Sequence, residues 1–252
     1  MQQHRKLISL GLTCFLFFLI TLFPARAGFM LLAPAGIQGF GFEGTLWQGS
    51  VRVLNVAGQQ LRNTEWSLSI PGLFAGRIGG DFKTRWGSGF AEGNGSISLM
   101  GTVRLSEARA GFAAAMLGQS FGAPDLGGQV NLQIDTLQLS DNWPKQLIGT
   151  ANINNLSSPL LGRGSAGQIG NYTVSFDSST ATDPDLLTGT ITDNGGPLEV
   201  SGELALRAPG DYELETRIKP RSSAPEKMQK NLEFLGPPEA DGTRIFEFAG
   251  SI

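Results

Sequence analysis

The feature that most constrains this chain is a period of two that starts near Phe40 and recurs almost to its end. Apolar residues alternate with polar ones in Trp66-Leu68-Ile70, Phe82-Thr84-Trp86, Val130-Leu132-Ile134, Tyr172-Val174-Phe176, Leu198-Val200-Gly202-Leu204-Leu206, Tyr212-Leu214-Thr216-Ile218 and Phe246-Phe248. Successive side chains of an extended strand point to opposite faces, so each run reads as a strand with one apolar face. Turn-forming residues fall between them: Ala57-Gly58, Gly79-Gly80-Asp81, Gly93-Asn94-Gly95, Asn194-Gly195-Gly196-Pro197 and Pro209-Gly210-Asp211. Connections this short join antiparallel strands, whereas parallel crossovers need intervening helices. The 35 glycines and a charged fraction of only 16% fit the same turn-rich, all-β class. About a dozen strands are expected. After Ile134 the apolar set resumes at Leu137 and Leu139, one residue out of phase, which predicts a β-bulge between Asp135 and Thr136.

Two segments break the alternation. Ser223-Ala224-Pro225-Glu226 has capping-box form, and Met228, Leu232 and Leu235 then share one helix face until Gly236-Pro237-Pro238 stops it. A weaker counterpart is Phe112–Leu117, followed by Gly122-Ala123-Pro124. Both places run strand, short helix, Gly and Pro, an acid, Gly, strand, which suggests two similar halves of one β architecture.

The N-terminus is of another kind. Leu7 to Phe23 is a 17-residue run without charge, preceded by Arg5-Lys6 and followed by Arg26. As a helix it would reach ~26 Å, at the short end for crossing a bilayer core. Leu7, Leu10, Phe15, Phe18, Ile20 and Phe23 are its candidate lipid-facing residues, and two bases before it against one after put the remaining chain across the membrane. Residues 1–27 are thus expected to form a cytoplasmic tip and a signal-anchor, and residues 28–252 an exported β domain. Ala25-Arg26-Ala27 keeps a second reading open, a signal peptide cleaved after Ala27. Cys14 sits mid-helix without the small residues of a lipobox.

Scarcity excludes much chemistry. The chain has one His, His4, and one Cys, Cys14, so a Ser-His-Asp triad, a Cys-His pair, a zinc finger or a histidine metal cluster has no residues to build it in the β region. Residues 28–252 carry 16 bases and 22 acids without a basic run, which argues against nucleic acid as a partner. Two G-x-G-x-x-G matches, Gly39–Gly44 and Gly162–Gly167, read as loops, because neither opens a helix that could hold a pyrophosphate. Ser140-Asp141-Asn142 lacks the accompanying S-x-x-K and reads as a polar turn before Trp143-Pro144. Asp183/Asp185 flank Pro184 in a loop, and Glu213/Glu215 share one strand face that reads as solvated rather than catalytic. Asp193-Asn194 lacks further ligands at calcium-loop spacing. Trp47, Trp66 and Trp86 could stack on a sugar or base, but in alternating strands they read as core. No catalytic residue, metal site or cofactor is assigned.

One stretch stands out: Gly44-Thr45-Leu46-Trp47-Gln48-Gly49-Ser50. Together with the apolar N-terminus, Ile169-Gly170-Asn171-Tyr172, the run Asp193–Gly202, and the closing Leu235-Gly236-Pro237, Asp241-Gly242 and Phe246-Glu247-Phe248, it resembles the protein N family of the bacterial type II secretion system over essentially the whole chain. The resemblance implies an accessory, non-catalytic inner-membrane protein with one transmembrane helix and a periplasmic domain. It would aid export of folded proteins across the outer membrane, with the inner-membrane platform and the secretin as partners. The pattern also looks like the AsmA-like group, which implies a single elongated, strongly twisted, trough-like antiparallel sheet and leaves lipid carriage as an alternative function. Gly44, Thr45, Leu46, Trp47, Gln48 and Gly49 are read as a structural motif, a strand with glycines at both ends around a buried Trp47 that acts as a packing anchor.

Overall fold

A computed structural model describes residues 2–33, 36–56, 58–74, 76–120, 125–141, 143–159, 167–180, 183 and 185–251, with the backbone alone for residues 2–9, 32, 73, 74, 119, 120 and 180. The chain divides into two compact units, Met1–Leu99 and Met100–Ile252. Thirteen strands and five short or terminal α-helices occur among the described residues, in the all-β antiparallel class that the alternation predicts.

The first unit holds α1 (Gln2–Thr21), α2 (Ala25–Leu32), β1 (Gln38–Gly44), β2 (Gln48–Val56), β3 (Gln59–Leu68), α3 (Ile70–Phe74), β4 (Arg77–Trp86) and β5 (Gly89–Ser98). Its strands pair antiparallel in chain order, β1 with β2, β2 with β3, β3 with β4 and β4 with β5. One face carries Phe42 opposite Val51 and Trp66 opposite Phe82, with Thr64 opposite Val51 between them, and α2 packs on it through Phe29, whose ring lies 4.7 Å from that of Phe42. Val51, buried to 2% exposure, is the centre of this small core. Among the described residues no helix is long and apolar enough to cross a membrane.

The second unit holds β6 (Val103–Ala113), α4 (Ala115–Ser120), β7 (Gly127–Ser140), β8 (Trp143–Ser157), β9 (Gln168–Asp177), β10 (Leu186–Asp193), β11 (Leu198–Arg207), β12 (Asp211–Pro220), α5 (Glu226–Asn231), a 3-10 turn over Leu232–Leu235, and β13 (Arg244–Ser251). Again every pairing is antiparallel between chain neighbours. The core of this unit gathers at one place: Met228 and Leu232 lie against Leu198 and Ala224, with Ile169, Val200, Ile218 and Leu235 around them. The shared helix face of Met228, Leu232 and Leu235 is thus real, and Gly236, at φ 101°, ends the turn as expected. The phase slip after Ile134 is a register shift between Ile134 and Thr136 in the β7–β8 pairing. Asn194–Pro197 and Pro209-Gly210 connect β10 to β11 and β11 to β12.

Several expectations are corrected. Gly79-Gly80-Asp81 and Gly93-Asn94-Gly95 are not turns but paired strand residues, Gly80 opposite Gly95 and Phe82 opposite Gly93. A Cβ on Gly79 would meet Ser96 and the Gly95 carbonyl, and one on Gly80 the Ser67 carbonyl, so glycine here permits close approach of neighbouring strands and not reversal. Gly39–Gly44 is likewise strand β1 and not a loop, while 162–166 in the second glycine match, and Gly122-Ala123-Pro124, lie outside the described residues. The capping box does not form: the residue before α5 is Pro225, and no side chain caps the helix. Phe112 and Ala113 belong to β6, so the helix after them begins only at Ala115.

Candidate functional site

The motif 44–49 folds differently from the expected strand. Gly44 closes β1 at φ +83°, a backbone conformation costly for any residue with a Cβ, which at this position would also collide with the Gln48 carbonyl. Thr45 then donates its backbone N–H to the Gln48 carbonyl at 2.8 Å, and its hydroxyl accepts from the Gln48 N–H at 3.1 Å. The result is a tight β1–β2 turn that projects Leu46 and Trp47. Trp47 is half-buried rather than buried, a correction to the packing reading, because the turn carries it out of the sheet.

What the turn projects onto is the end of α1. The last carbonyls of a helix have no partner within it and must find one outside. Here the Thr21 hydroxyl donates to the Phe17 carbonyl at 2.9 Å, the Leu22 N–H to Phe18 at 2.9 Å, and the indole N–H of Trp47 to Ile20 at 2.7 Å. One turn further on, the Leu46 N–H donates to the Phe23 carbonyl at 2.8 Å, and Pro24 forms an antiparallel bridge with Thr45. The sheet braces the turn from behind. The Trp66 indole donates to the Leu46 carbonyl at 2.9 Å, and the Leu68 N–H donates to the Trp47 carbonyl at 2.6 Å. Ala25 is buried at the start of α2, and Leu46 sits against Gly28.

The six residues expected to face lipid distribute accordingly. Leu10, Phe15, Phe18 and Ile20 are each half or more exposed on α1, Phe23 is half-buried beside the turn, and the Leu7 side chain lies outside the described set. The part played by Ile20, Phe23 and Pro24 as partners of the motif was not legible in the sequence, since residues 20–24 and 45–47 share no local pattern.

The other quoted motifs converge in the second unit. Asn171 donates its backbone N–H to the Gly195 carbonyl at 2.8 Å, and Asn194 returns one to Asn171 at 2.8 Å. Gly196, at φ +140°, approaches so near that a Cβ there would stand 2.5 Å from the Gly170 Cα. The buried Tyr172 hydroxyl lies 3.0 Å from the Ile169 carbonyl and 3.3 Å from that of Leu198. Burial first, and the Asp193 carboxylate second, push the phenol well above its ordinary range, so it remains a donor. Arg221, which follows β12, pairs with Asp193 and donates to the Gly196 carbonyl at 2.9 Å. The Asp193 carboxylate in turn accepts from the Gly195 N–H at 3.1 Å. Arg221 was missed in the sequence; its signal is a base just past a strand whose acidic partner lies 28 residues upstream.

Elsewhere the titratable groups are dispersed. Asp183 pairs with Arg207 at 3.8 Å and Asp185 with Lys145 at 2.6 Å, while Glu213 and Glu215 face solvent along β12. Among the described residues no group of three or more His, Cys, Asp or Glu side chains could hold a metal ion. A shallow recess over the β11–β13 end is lined by Arg207, Asp211, Tyr212 and Glu213. Asp141, at φ 54°, turns β7 into β8 as the polar-turn reading requires. These arrangements fasten segments together.

Comparison with known proteins adds identity to this geometry. A family model described as type II secretion system (T2SS), protein N, matches residues 35–246. The chain is 25% identical to type II secretion system protein N of Aeromonas hydrophila over 261 residues, covering 100% of both. It is 25% identical to type II secretion system protein N of Vibrio cholerae serotype O1 over 232 residues, covering 87% of this chain and 86% of that one. No solved structure matches. The matched span runs from just before β1 into β13, taking in the 44–49 turn and the Tyr172–Asp193–Arg221 cluster, and the chain belongs to the family of type II secretion system protein N.

Proposed function

We propose that the chain is a non-catalytic, inner-membrane-anchored interaction and assembly subunit of the type II secretion pathway, aiding export of folded proteins from the periplasm across the outer membrane. In this reading residues 1–27 are a cytoplasmic tip and single-pass anchor, and residues 28–252 a periplasmic β domain. Leu7, Leu10, Phe15, Phe18, Ile20 and Phe23 face lipid, and Arg5-Lys6 hold the tip on the cytoplasmic side. The observation that carries the reading is the seating of the α1 C-terminus on the 44–49 turn. From Leu10 to Ile20 every large apolar side chain of α1 is exposed, so among the described residues this stretch finds no apolar partner in its own unit. An apolar helix of that kind needs lipid around it.

The same seating weighs against removal of the segment. Cleavage after Ala27 would take away Ile20, Phe23 and Pro24, leaving the Trp47 indole and the Leu46 N–H without the carbonyls they now meet. The partners in this reading are the inner-membrane platform subunits and the secretin. β13 offers one backbone edge for them, since among the described strands it pairs with β12 alone. Fractionation of a Gram-negative host, with mass spectrometry of the N-terminus, tests the reading. Retention of Leu7–Phe23 in the inner membrane is expected; a soluble periplasmic form beginning at Gly28 overturns it.

A second reading, a periplasmic lipid carrier, is supported by one row of the second unit. Leu204, Leu214 and Phe248 stand in register across β11, β12 and β13, and none of them is buried. Native mass spectrometry of the purified chain tests it: co-purifying phospholipid that is lost in a Leu214→Glu variant supports carriage, and its absence removes it.

A further inference from the structure

The two ends of the first unit differ in chemistry. In an antiparallel meander alternate connections lie at the same end, so the β1–β2 turn, the β3–β4 connection and the C-terminal end of β5 share one end. That is the end where α1 is seated. A chain of backbone hydrogen bonds ties it together: Leu46 to Phe23, Leu68 to Trp47, Ser69 to Gly79 at 2.7 Å and Leu99 to Gly76 at 3.1 Å. At ~4.8 Å per strand, the rim from β2 to β5 extends about 14 Å sideways from the helix exit.

Along this rim the large exposed side chains are apolar apart from Arg77, with the small Ser67 and Ser69 exposed among them. Ile70 projects from α3 at 38% exposure, Ile78 and Ile97 oppose each other on β4 and β5 at 43% and 47%, and Leu99 reaches 84%. From Trp66 to Gly80, and again from Gly93 to Leu99, there is no acid, and the only base is Arg77. At the opposite end the exposed surface is mixed: Phe40 at 61% and Phe90 at 38% stand with the paired Arg62 and Arg85, and the turns carry Gly58 and Gly87-Ser88.

We propose that this rim is a membrane-contact surface, and that its occupant is the phospholipid leaflet from which α1 emerges. Ile70, Ile78, Ile97 and Leu99 enter the boundary between headgroups and acyl chains, Arg77 meets lipid phosphate, and Trp47 sits at the interface where indoles are favoured. The proposal rests on the anchor reading and goes beyond it. A single helix would leave the β unit free to swing, whereas a second contact some 14 Å to the side fixes the tilt of the sheet on the membrane.

The test uses the full chain with Cys14→Ser and one introduced cysteine carrying an environment-sensitive fluorophore, at Leu99, at Ser88 or at Leu16. Each is reconstituted in phosphatidylethanolamine and phosphatidylglycerol vesicles containing lipid with a nitroxide near the headgroup or deep in the acyl chain. The expected result is a blue-shifted Leu99→Cys probe that loses most of its emission to the shallow nitroxide, with the Ser88→Cys probe unaffected. A Leu99→Cys probe as water-exposed as Ser88→Cys, in a chain whose Leu16→Cys probe is quenched by the deep nitroxide, overturns the contact surface and leaves the anchor standing. Leu99→Cys and Leu16→Cys probes both unquenched overturn both readings. A quenched Leu99→Cys probe with Leu16→Cys unquenched overturns the anchor and, with it, the proposal that the occupant is the leaflet from which α1 emerges.

Discussion

The 44–49 turn and the Tyr172–Asp193–Arg221 cluster fasten chain segments by different means. The first works almost wholly through backbone carbonyls and N–H groups, with two indoles as extra donors and exposed side chains around it. The second joins an ion pair and a phenol to an apolar cluster in which Met228 is fully buried. Hydrogen bonds near solvent exchange for bonds to water and contribute modestly, while buried apolar area is lost outright when a side chain is cut. The first region therefore fixes direction at little energetic depth, and the second carries much of its unit's stability.

The largest effect is expected from Met228→Ala, which empties the centre of the α5 cluster and should cost about 3 kcal/mol in urea unfolding. A loss under about 1 kcal/mol would show that the cluster collapses around the gap and would erase the contrast. Next comes Gly44→Ala, where the positive φ and the Gln48 carbonyl together should cost about 2 kcal/mol and loosen the β1–β2 turn. Amide exchange at Leu46 reads it directly. Tyr172→Phe removes the phenol's hydrogen bonds to the Ile169 and Leu198 carbonyls and should cost about 1 kcal/mol, with the fold intact by circular dichroism.

Trp47→Phe sharpens the comparison from the other side. It keeps a ring but loses the bond to Ile20, so urea unfolding should move by less than about 1 kcal/mol while exchange at Leu22 and Leu46 rises. A large loss of stability instead would return Trp47 to the role of packing anchor. The smallest effect concerns Asp241, whose carboxyl is held below its usual range by the Thr243 backbone N–H and then by the Thr243 hydroxyl. A depressed carboxyl stabilises the fold above its unfolded pKa, and this is lost as pH falls through the folded value. The protection of the Thr243 amide relative to its intrinsic exchange rate should therefore fall below about pH 4, and Asp241→Asn should abolish that dependence.

Much of the fold was legible from local residue order. Tyr172-Val174-Phe176 and Tyr212-Leu214-Thr216-Ile218 fall in β9 and β12 because alternation is a local consequence of the pleat. Gly79-Gly80 and Gly93–Gly95 misled for an equally definite reason. Glycine marks both a reversal and a close approach of neighbouring strands, and only the cross-strand partner distinguishes the two uses. The capping box at Ser223 failed because Pro225 stands at the start of α5, where no side-chain cap forms.

The sequence by itself determined the strand class, the apolar helix, the absence of histidine and cysteine chemistry from the β region, and which short motifs belong together. Those properties follow from residue type and spacing along the chain. Only the tertiary structure decided that Trp47 meets Ile20, that Arg221 closes on Asp193, and that Ile78, Ile97 and Leu99 share an end with the C-terminus of α1. Each depends on strand register and on which turns lie at the same end, and hydrogen-bonded pairing between distant segments sets both.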